Sequence, residues 1–225
     1  LAAKNAATEL REKICAKAAQ MWDVDAADVV FDGQYVRLSD ERAAREQNRF
    51  LTLRDFANLC VKNIAGGDAL TSHASACLPV SPPPFMAGIA EVEVDKATGK
   101  VTVVDYAAAV DCGTVINEAL ARVQAEGGIA QGIGHALYEI VEHDERGRLR
   151  TGNFMSYKLP TRLDIGSIRV AFEPSYEPTG PFGAKSIGEV VINTPLAAVA
   201  SAVAHATGHQ VRSLPITPEK ALLGE

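Results

Sequence analysis

Apolar and polar positions along this chain recur with two periods, one near that of a helix and one that of a strand. The opening segment, LAAKNAATELREKICAKAAQMW, has the helical spacing and predicts a helix from the start to about Met21. Asp25-Ala-Ala-Asp28 then supplies a turn or cap signal ahead of VVFDGQYVRL. In that stretch Asp32-Gly33 separates Val29-Val30-Phe31 from Tyr35-Val36-Arg37-Leu38, which predicts a β-hairpin. SDERAAREQNRF is charged and solvated, a loop or a short exposed helix. LTLRDFANLCVKN places Leu53, Phe56, Leu59 and Cys60 at helical spacing, with Thr52 as N-cap.

Gly, Ser and Pro then dominate AGGDALTSHASACLPVSPPPFMAG, where Pro82-Pro83-Pro84 must be extended because each ring fixes φ and biases its neighbour. A subdomain boundary is expected near residue 80. Beyond it, Ile89, Val92 and Val94 and then Val101, Val103 and Val104 flank the turn Asp95–Gly99, the clearest hairpin in the chain. From Asn117 as N-cap, EALARVQAEGGIAQGIGHALYEIVEH predicts one long helix. It carries Gly127, Gly128, Gly132 and Gly134, at about 1 kcal/mol each against alanine. Close approach to another helix or to a ligand would offset that cost. The segment DERGRLRTGNFMSYKLPTRLDIGSIRVAFEP predicts turns and two short strands. NTPLAAVASAVAHATG predicts a last helix, with Thr194 as N-cap, Pro195 at the first helical position and Gly208 just past the end. Hairpins alternating with helices indicate an α+β fold of layered hairpin sheets and helices. Residues 1–80 form one α+β subdomain (helix, hairpin, helix) and residues 81–225 a second.

Composition narrows the function. The 225 residues are 47% hydrophobic and 22% charged, as in a globular protein with a real core. A formal charge of −6 argues against nucleic acid or an anionic membrane as partner. No apolar run approaches the roughly 20 residues of a spanning helix. Mixed charges in the first helix exclude a signal or transit peptide there. A chain beginning in mid-helix without an initiator methionine reads as a piece of something longer. Cys15, Cys60, Cys77 and Cys112 are far apart and lack zinc or iron–sulfur spacing. They read as free, buried thiols of a reducing, cytoplasmic compartment. His205 and His209 are i,i+4, but Gly208 breaks the helix between them, so no metal-ligand set is expected.

GPFGAKSIGE, residues 180–189, carries the densest candidate chemistry. Gly180, Gly183 and Gly188 free the backbone, and Lys185 and Ser186 add a cation and a hydroxyl, so the turn can form an anion-binding nest. The spacing is not that of a phosphate-binding P-loop. Glu189 ends the loop ahead of apolar Val190, Val191 and Ile192. Such a carboxylate is a candidate general base, although an ordinary surface glutamate is the commoner outcome for a loop position.

The segment GPFGAKSIGEVVINTPLAAVASAVAHATG resembles the C-terminal active-site segment of the molybdenum hydroxylases, the family of xanthine dehydrogenase, aldehyde oxidoreductase and nicotinate dehydrogenase. FMAGIAEVEVDKATGKVTVVDYAAAVDCGTVIN is similar to the sheet before that family's cofactor helix. VQAEGGIAQGIGHALYE is similar to its Q-x-E-G-G-x-x-x-G-x-G helix, and AAKNAATELREKI to a helix following a cofactor-binding loop. The resemblance spans nearly the whole chain, least distinctively over residues 24–80. It implies the C-terminal part of a molybdenum cofactor-binding domain. Glu189 falls on the family's general base beside molybdenum, and Gln124 on the glutamine that hydrogen-bonds molybdopterin. Gly183, Ala184, Lys185 and Ser186 fall on the loop that passes close to the cofactor.

The implied reaction is hydroxylation of a purine or other N-heterocycle, or of an aldehyde, with oxygen from water. The implied cofactor is molybdenum–molybdopterin, alone or as its dinucleotide. Iron–sulfur clusters and flavin are expected in partner subunits or domains, because this chain has no ligands for them. The glycine-rich loops and the arginine- and phenylalanine-bearing segments that complete the family's pockets are also missing. The chain, a separate subunit or a fragment, is therefore expected to be inactive alone. Its expected partners are the preceding half of the molybdenum domain, the iron–sulfur and flavin components, and a small-molecule substrate, without nucleic acid or membrane. Two other readings remain: a non-catalytic assembly module that binds partner subunits, and a phosphate- or nucleotide-binding domain.

Overall fold

The computed structural model describes residues 1–62, 70–78 and 80–224. The start of the Gly/Ser/Pro-rich connection, at 63–69, lies outside the described residues. The chain divides into two compact units, Leu1–Pro79 and Val80–Glu225.

In the first unit, α1 (Ala2–Trp22) packs on a three-stranded antiparallel sheet of β1 (Val29–Phe31), β2 (Tyr35–Leu38) and β3 (Phe50–Thr52). Asp32 shapes the hairpin turn, its Oδ1 accepting from the amides of Gln34 and Tyr35. The charged segment holds a short helix, α2 (Glu41–Glu46), because Asp40 caps it through the amides of Arg42 and Ala43. α3 (Leu53–Val61) starts where Thr52 Oγ1 accepts from Asp55 N, as the sequence predicts. Strand β3 is too short to show a period of its own. Ile14, Ala18, Val36 and Phe56 form the core.

In the second unit, β4 (Phe85–Val94) and β5 (Val101–Asp111) form the long antiparallel hairpin, with a bulge at Glu91/Val92. β6 (Ser167–Phe172) adds parallel to β5, so the sheet order is β4-β5-β6. Only this one strand forms among the described residues between 144 and 173, apart from a single bridge at His143 and Leu149. The rest of the segment spends its polar side chains on turns, as where Asn153 and Asp164 accept from nearby amides.

Helix α4 (Glu118–Leu137) links β5 to β6, and Asn117 Oδ1 caps it through Leu120 N. It ends before the sequence pattern does. The amides of Tyr138 and Glu139 both turn back to the Gly134 carbonyl, and Tyr157 Oη donates to Glu139 Oε2 at 2.5 Å. Arg122 fastens α4 to the sheet by donating to Val170 O at 2.8 Å. α5 (Val190–Thr207) runs between α4 and β4, and α6 (Pro218–Leu223) closes the chain.

The start of α5 corrects the sequence expectation. Thr194 is not its N-cap and Pro195 is not its first residue, because the helix begins at Val190 and carries Pro195 inside. Proline there removes one intrahelical bond. Packing holds the turn regardless, since Val191 and Pro195 are both buried against α4. Gly208 does end the helix in the left-handed conformation. By length and composition α5 is apolar enough to cross a membrane, with mean hydropathy 1.4. Counting contiguous apolar residues missed this because Asn193, Thr194 and Ser201 interrupt the run.

Two glycines set the spacing of α4 and α5. A Cβ on Gly128 would stand 2.3 Å from Val191 Cγ2, and one on Gly132 would stand 2.9 Å from the Ile192 carbonyl oxygen. Of the readings open for the glycine-rich helix, close helix packing holds at these two positions. Gly127, next in sequence, has nothing within 4 Å of its missing Cβ.

Candidate functional site

The helix seam fixes where the candidate groups meet. Gln124 and Gln131 lie two turns apart on one face of α4, and Glu189 stands at the start of α5. With Val123, Gly127, Gly128, Gly188, Ile192 and Asn193 they line a cleft of about 520 Å³. Gln124 also bonds the loop directly, its Nε2 donating to Gly188 O at 3.0 Å. Glu189 is exposed and makes no side-chain cap on α5, so its carboxylate is uncommitted. It sits beside the amide-rich start of a helix, where anions are favoured.

A second cleft, of about 550 Å³, lies on the other side of Gln124. Val115, Ile116, Leu120 and Ile187 give it an apolar lining, and Ala184, Lys185 and Gly188 of the loop complete it. Gln124 and Gly188 line both clefts and so divide them.

The loop is held from below by the end of β5. Gly183 has φ +86° and is buried; a Cβ there would stand 2.3 Å from the Tyr176 ring, so only glycine fits. Its carbonyl accepts from Thr114 N at 2.9 Å, while Lys185 N donates to Cys112 O at 2.7 Å. Between these bonds Gly113 and Ala184 face each other across one antiparallel bridge. The Lys185 side chain, 8% exposed, pairs with Asp111, Nζ to Oδ2 at 2.6 Å. Lys185, Ser175 and the Gly113 amide together pull the Asp111 carboxyl down to about 2.

The structure therefore separates the sequence-predicted residues. Gln124 and Glu189 meet in the first cleft, and Ala184 and Lys185 reach the second. Gly183 is buried beneath the loop, and Ser186 is exposed, its Oγ facing Gly188 N at 3.4 Å. Sequence reasoning missed Gln131 and Asn193. Helical spacing could have found both, seven residues from Gln124 and four from Glu189. Among the described residues no His, Cys, Asp or Glu cluster could hold a metal ion. The cysteines are free; Cys60 and Cys112 are buried, with thiols pushed up by burial, whereas Cys77 is exposed.

The cleft suits a flat, polar-edged group. Gln124, Gln131 and Asn193 offer amide donors and acceptors, and Gly127 and Gly188 leave bare backbone with open space where a Cβ would project. A pterin has this requirement, so the residues present fit the molybdopterin group.

Residues 1–166 match the molybdopterin cofactor-binding domain family. The chain is 33% identical over 220 residues to the xanthine dehydrogenase molybdenum-binding subunit of Escherichia coli O157:H7, covering 97% of this chain and 29% of that protein. It is 37% identical over 142 residues to the aldehyde oxidoreductase of Megalodesulfovibrio gigas, covering 61% of this chain and 15% of that protein. Its fold is similar to that of quinoline 2-oxidoreductase from Pseudomonas putida 86, with TM-score 0.70 and 29% identity, covering 97% of this chain and 28% of that one. The chain thus spans under a third of the length of these relatives. It belongs to the molybdopterin cofactor-binding domain family, among the molybdenum hydroxylases that include xanthine dehydrogenase and aldehyde oxidoreductase.

Proposed function

We propose that this chain forms one wall of the active site of a molybdenum hydroxylase acting on a purine or other N-heterocycle, or on an aldehyde. The observation that carries the reading is the convergence of Gln124 and Glu189 on one cleft from two helices packed through glycine. The Gln124 amide holds a pterin edge, and Gln131 and Asn193 extend the same polar rim. Ala184 and Lys185 border the neighbouring cleft, and Glu189 is the general base. When bound, the molybdenum–pterin group supplies the two-electron redox change and the polarisation that makes water-derived oxygen nucleophilic. Glu189 takes up the proton released there. Its exposed, uncapped position leaves both carboxylate oxygens free for that task.

The remainder of a molybdenum domain covers the exposed apolar side chains Ile116, Leu120 and Val123 around the clefts. Iron–sulfur and flavin components, in other domains or subunits, carry electrons away. The deciding experiment is Glu189→Gln in the whole enzyme. General-base assistance is worth about 10²–10⁴-fold, so turnover falls by that factor with pterin content unchanged. Retention of most activity refutes the assignment.

A further inference from the structure

The loop that ends in Glu189 is anchored by a largely buried ion pair. Lys185 is the loop's cation, and an anion-binding role would leave its ammonium exposed in the cleft it borders. Its side chain is instead 8% exposed and paired with Asp111. Both Asp111 oxygens are occupied. Oδ2 takes Lys185 Nζ at 2.6 Å, while Oδ1 accepts from Ser175 Oγ at 2.5 Å and from Gly113 N at 3.1 Å. The Phe85 ring lies 5.2 Å from Lys185 Nζ and closes another side. The ammonium is thus neutralised and largely removed from solvent.

The place of this pair in the chain matters more than its strength. Asp111 is the last residue of β5, and the chain runs on through Gly113 to Asn117, which caps the helix bearing Gln124. Lys185 lies on the loop that runs into Glu189. The two segments touch through the Gly113–Ala184 bridge and the Lys185 N–Cys112 O bond. The ion pair therefore locks the lead-in of the pterin-holding amide to the lead-in of the base.

We propose that Lys185 is a positioning residue for Glu189, acting through Asp111 and Ser175, and not a ligand of the cofactor. This rests on the reading of Glu189 as base. Disconnecting the pair leaves the fold's core intact and lets the loop drift relative to Gln124. A misplacement of about 1 Å is enough to cost about 10²-fold in rate.

The test uses the whole enzyme and four variants: Lys185→Met, Asp111→Asn, the double variant, and Lys185→Arg. Three quantities are read: amide hydrogen exchange over 183–189, pterin content, and kcat against KM. Lys185→Met and Asp111→Asn should each speed exchange by about tenfold and lower kcat by about 10²-fold, with KM and pterin content little changed. The double variant should be no worse than either single one, and Lys185→Arg should recover most of the rate. Ser175→Ala keeps the ion pair and should give a smaller change of the same kind, which guards against misfolding in the charge variants.

Loss of pterin in Lys185→Met with a normal Asp111→Asn enzyme would mean that the ammonium touches the cofactor, overturning the proposal. Unchanged exchange alongside an inactive Glu189→Gln enzyme overturns it too. An active Glu189→Gln enzyme removes the catalytic reading itself, whatever the exchange shows.

Discussion

Gly127 and Gly128 are adjacent on α4, yet alanine at each should change stability with opposite sign. A Cβ on Gly128 meets Val191 Cγ2 at 2.3 Å, Val191 Cβ at 3.1 Å and the Val191 carbonyl carbon at 3.3 Å. Carbon atoms prefer a separation of about 3.5–4.0 Å, and a β-branched side chain has little rotamer freedom with which to yield. The two helices must part. Overpacking of this kind costs about 1–3 kcal/mol, from which the alanine propensity gain of about 1 kcal/mol is subtracted. Gly128→Ala is therefore destabilising by about 1 kcal/mol. Gly127→Ala meets nothing within 4 Å and keeps the propensity gain alone. The two variants should differ by about 2 kcal/mol, or about 4–8 °C in Tm for a chain of this size. Thermal unfolding followed by calorimetry reads this difference. A Gly128→Ala protein melting at or above Gly127→Ala would refute the argument. The stabilised variant should also be the poorer holder of pterin, because its new methyl group enters the cleft.

The other predictions use the same geometry. Asn117→Ala removes the cap of α4 and should cost about 1 kcal/mol by denaturant titration. Asp111 has a native value of about 2 against an ordinary 3.8, so its contribution is complete above about pH 4 and disappears as the pH falls toward 2. The Tm gap between wild type and Asp111→Asn should close over that interval, and a constant gap down to pH 2 would show that the carboxylate charge is not involved. Gln124→Leu keeps the side-chain bulk but loses the bond to Gly188 O, and should lower pterin content measured by fluorescence after oxidative release. The chain expressed alone should self-associate, because Phe154, Met155 and Leu163 are 87%, 87% and 91% exposed; a monodisperse monomer by light scattering would contradict this.

Local signals were legible in the sequence wherever a single period or cap decided the outcome. Thr52, Asn117 and Gly208 mark helix ends correctly because one side chain or one backbone angle decides each. The start of α5 was misread for the opposite reason. Thr194-Pro195 is a strong local start signal, but tertiary packing of Val191 against Gly128 extends the helix one turn ahead of it. That turn is what carries Glu189 to α4. Gln124 and Glu189 could be paired only through motif resemblance, since nothing local says that residues 65 positions apart line one cleft. The Asp111–Lys185 pair left no sequence signal, because ion pairs distant in sequence have no spacing rule.

The glycine seam sets the separation of α4 and α5 by bare α4 backbone against Val191, Ile192 and Pro195 of α5. Neither Gly128 nor Gly132 has a side chain that could swell, rotate or be exchanged for a close homologue. Elsewhere in the core, conservative substitutions can be absorbed by repacking. Here any substitution must push a whole helix and, with it, the carboxylate at its tip. Substitutions that this fold absorbs must therefore fall around the seam, which holds constant the gauge between Gln124 and Glu189.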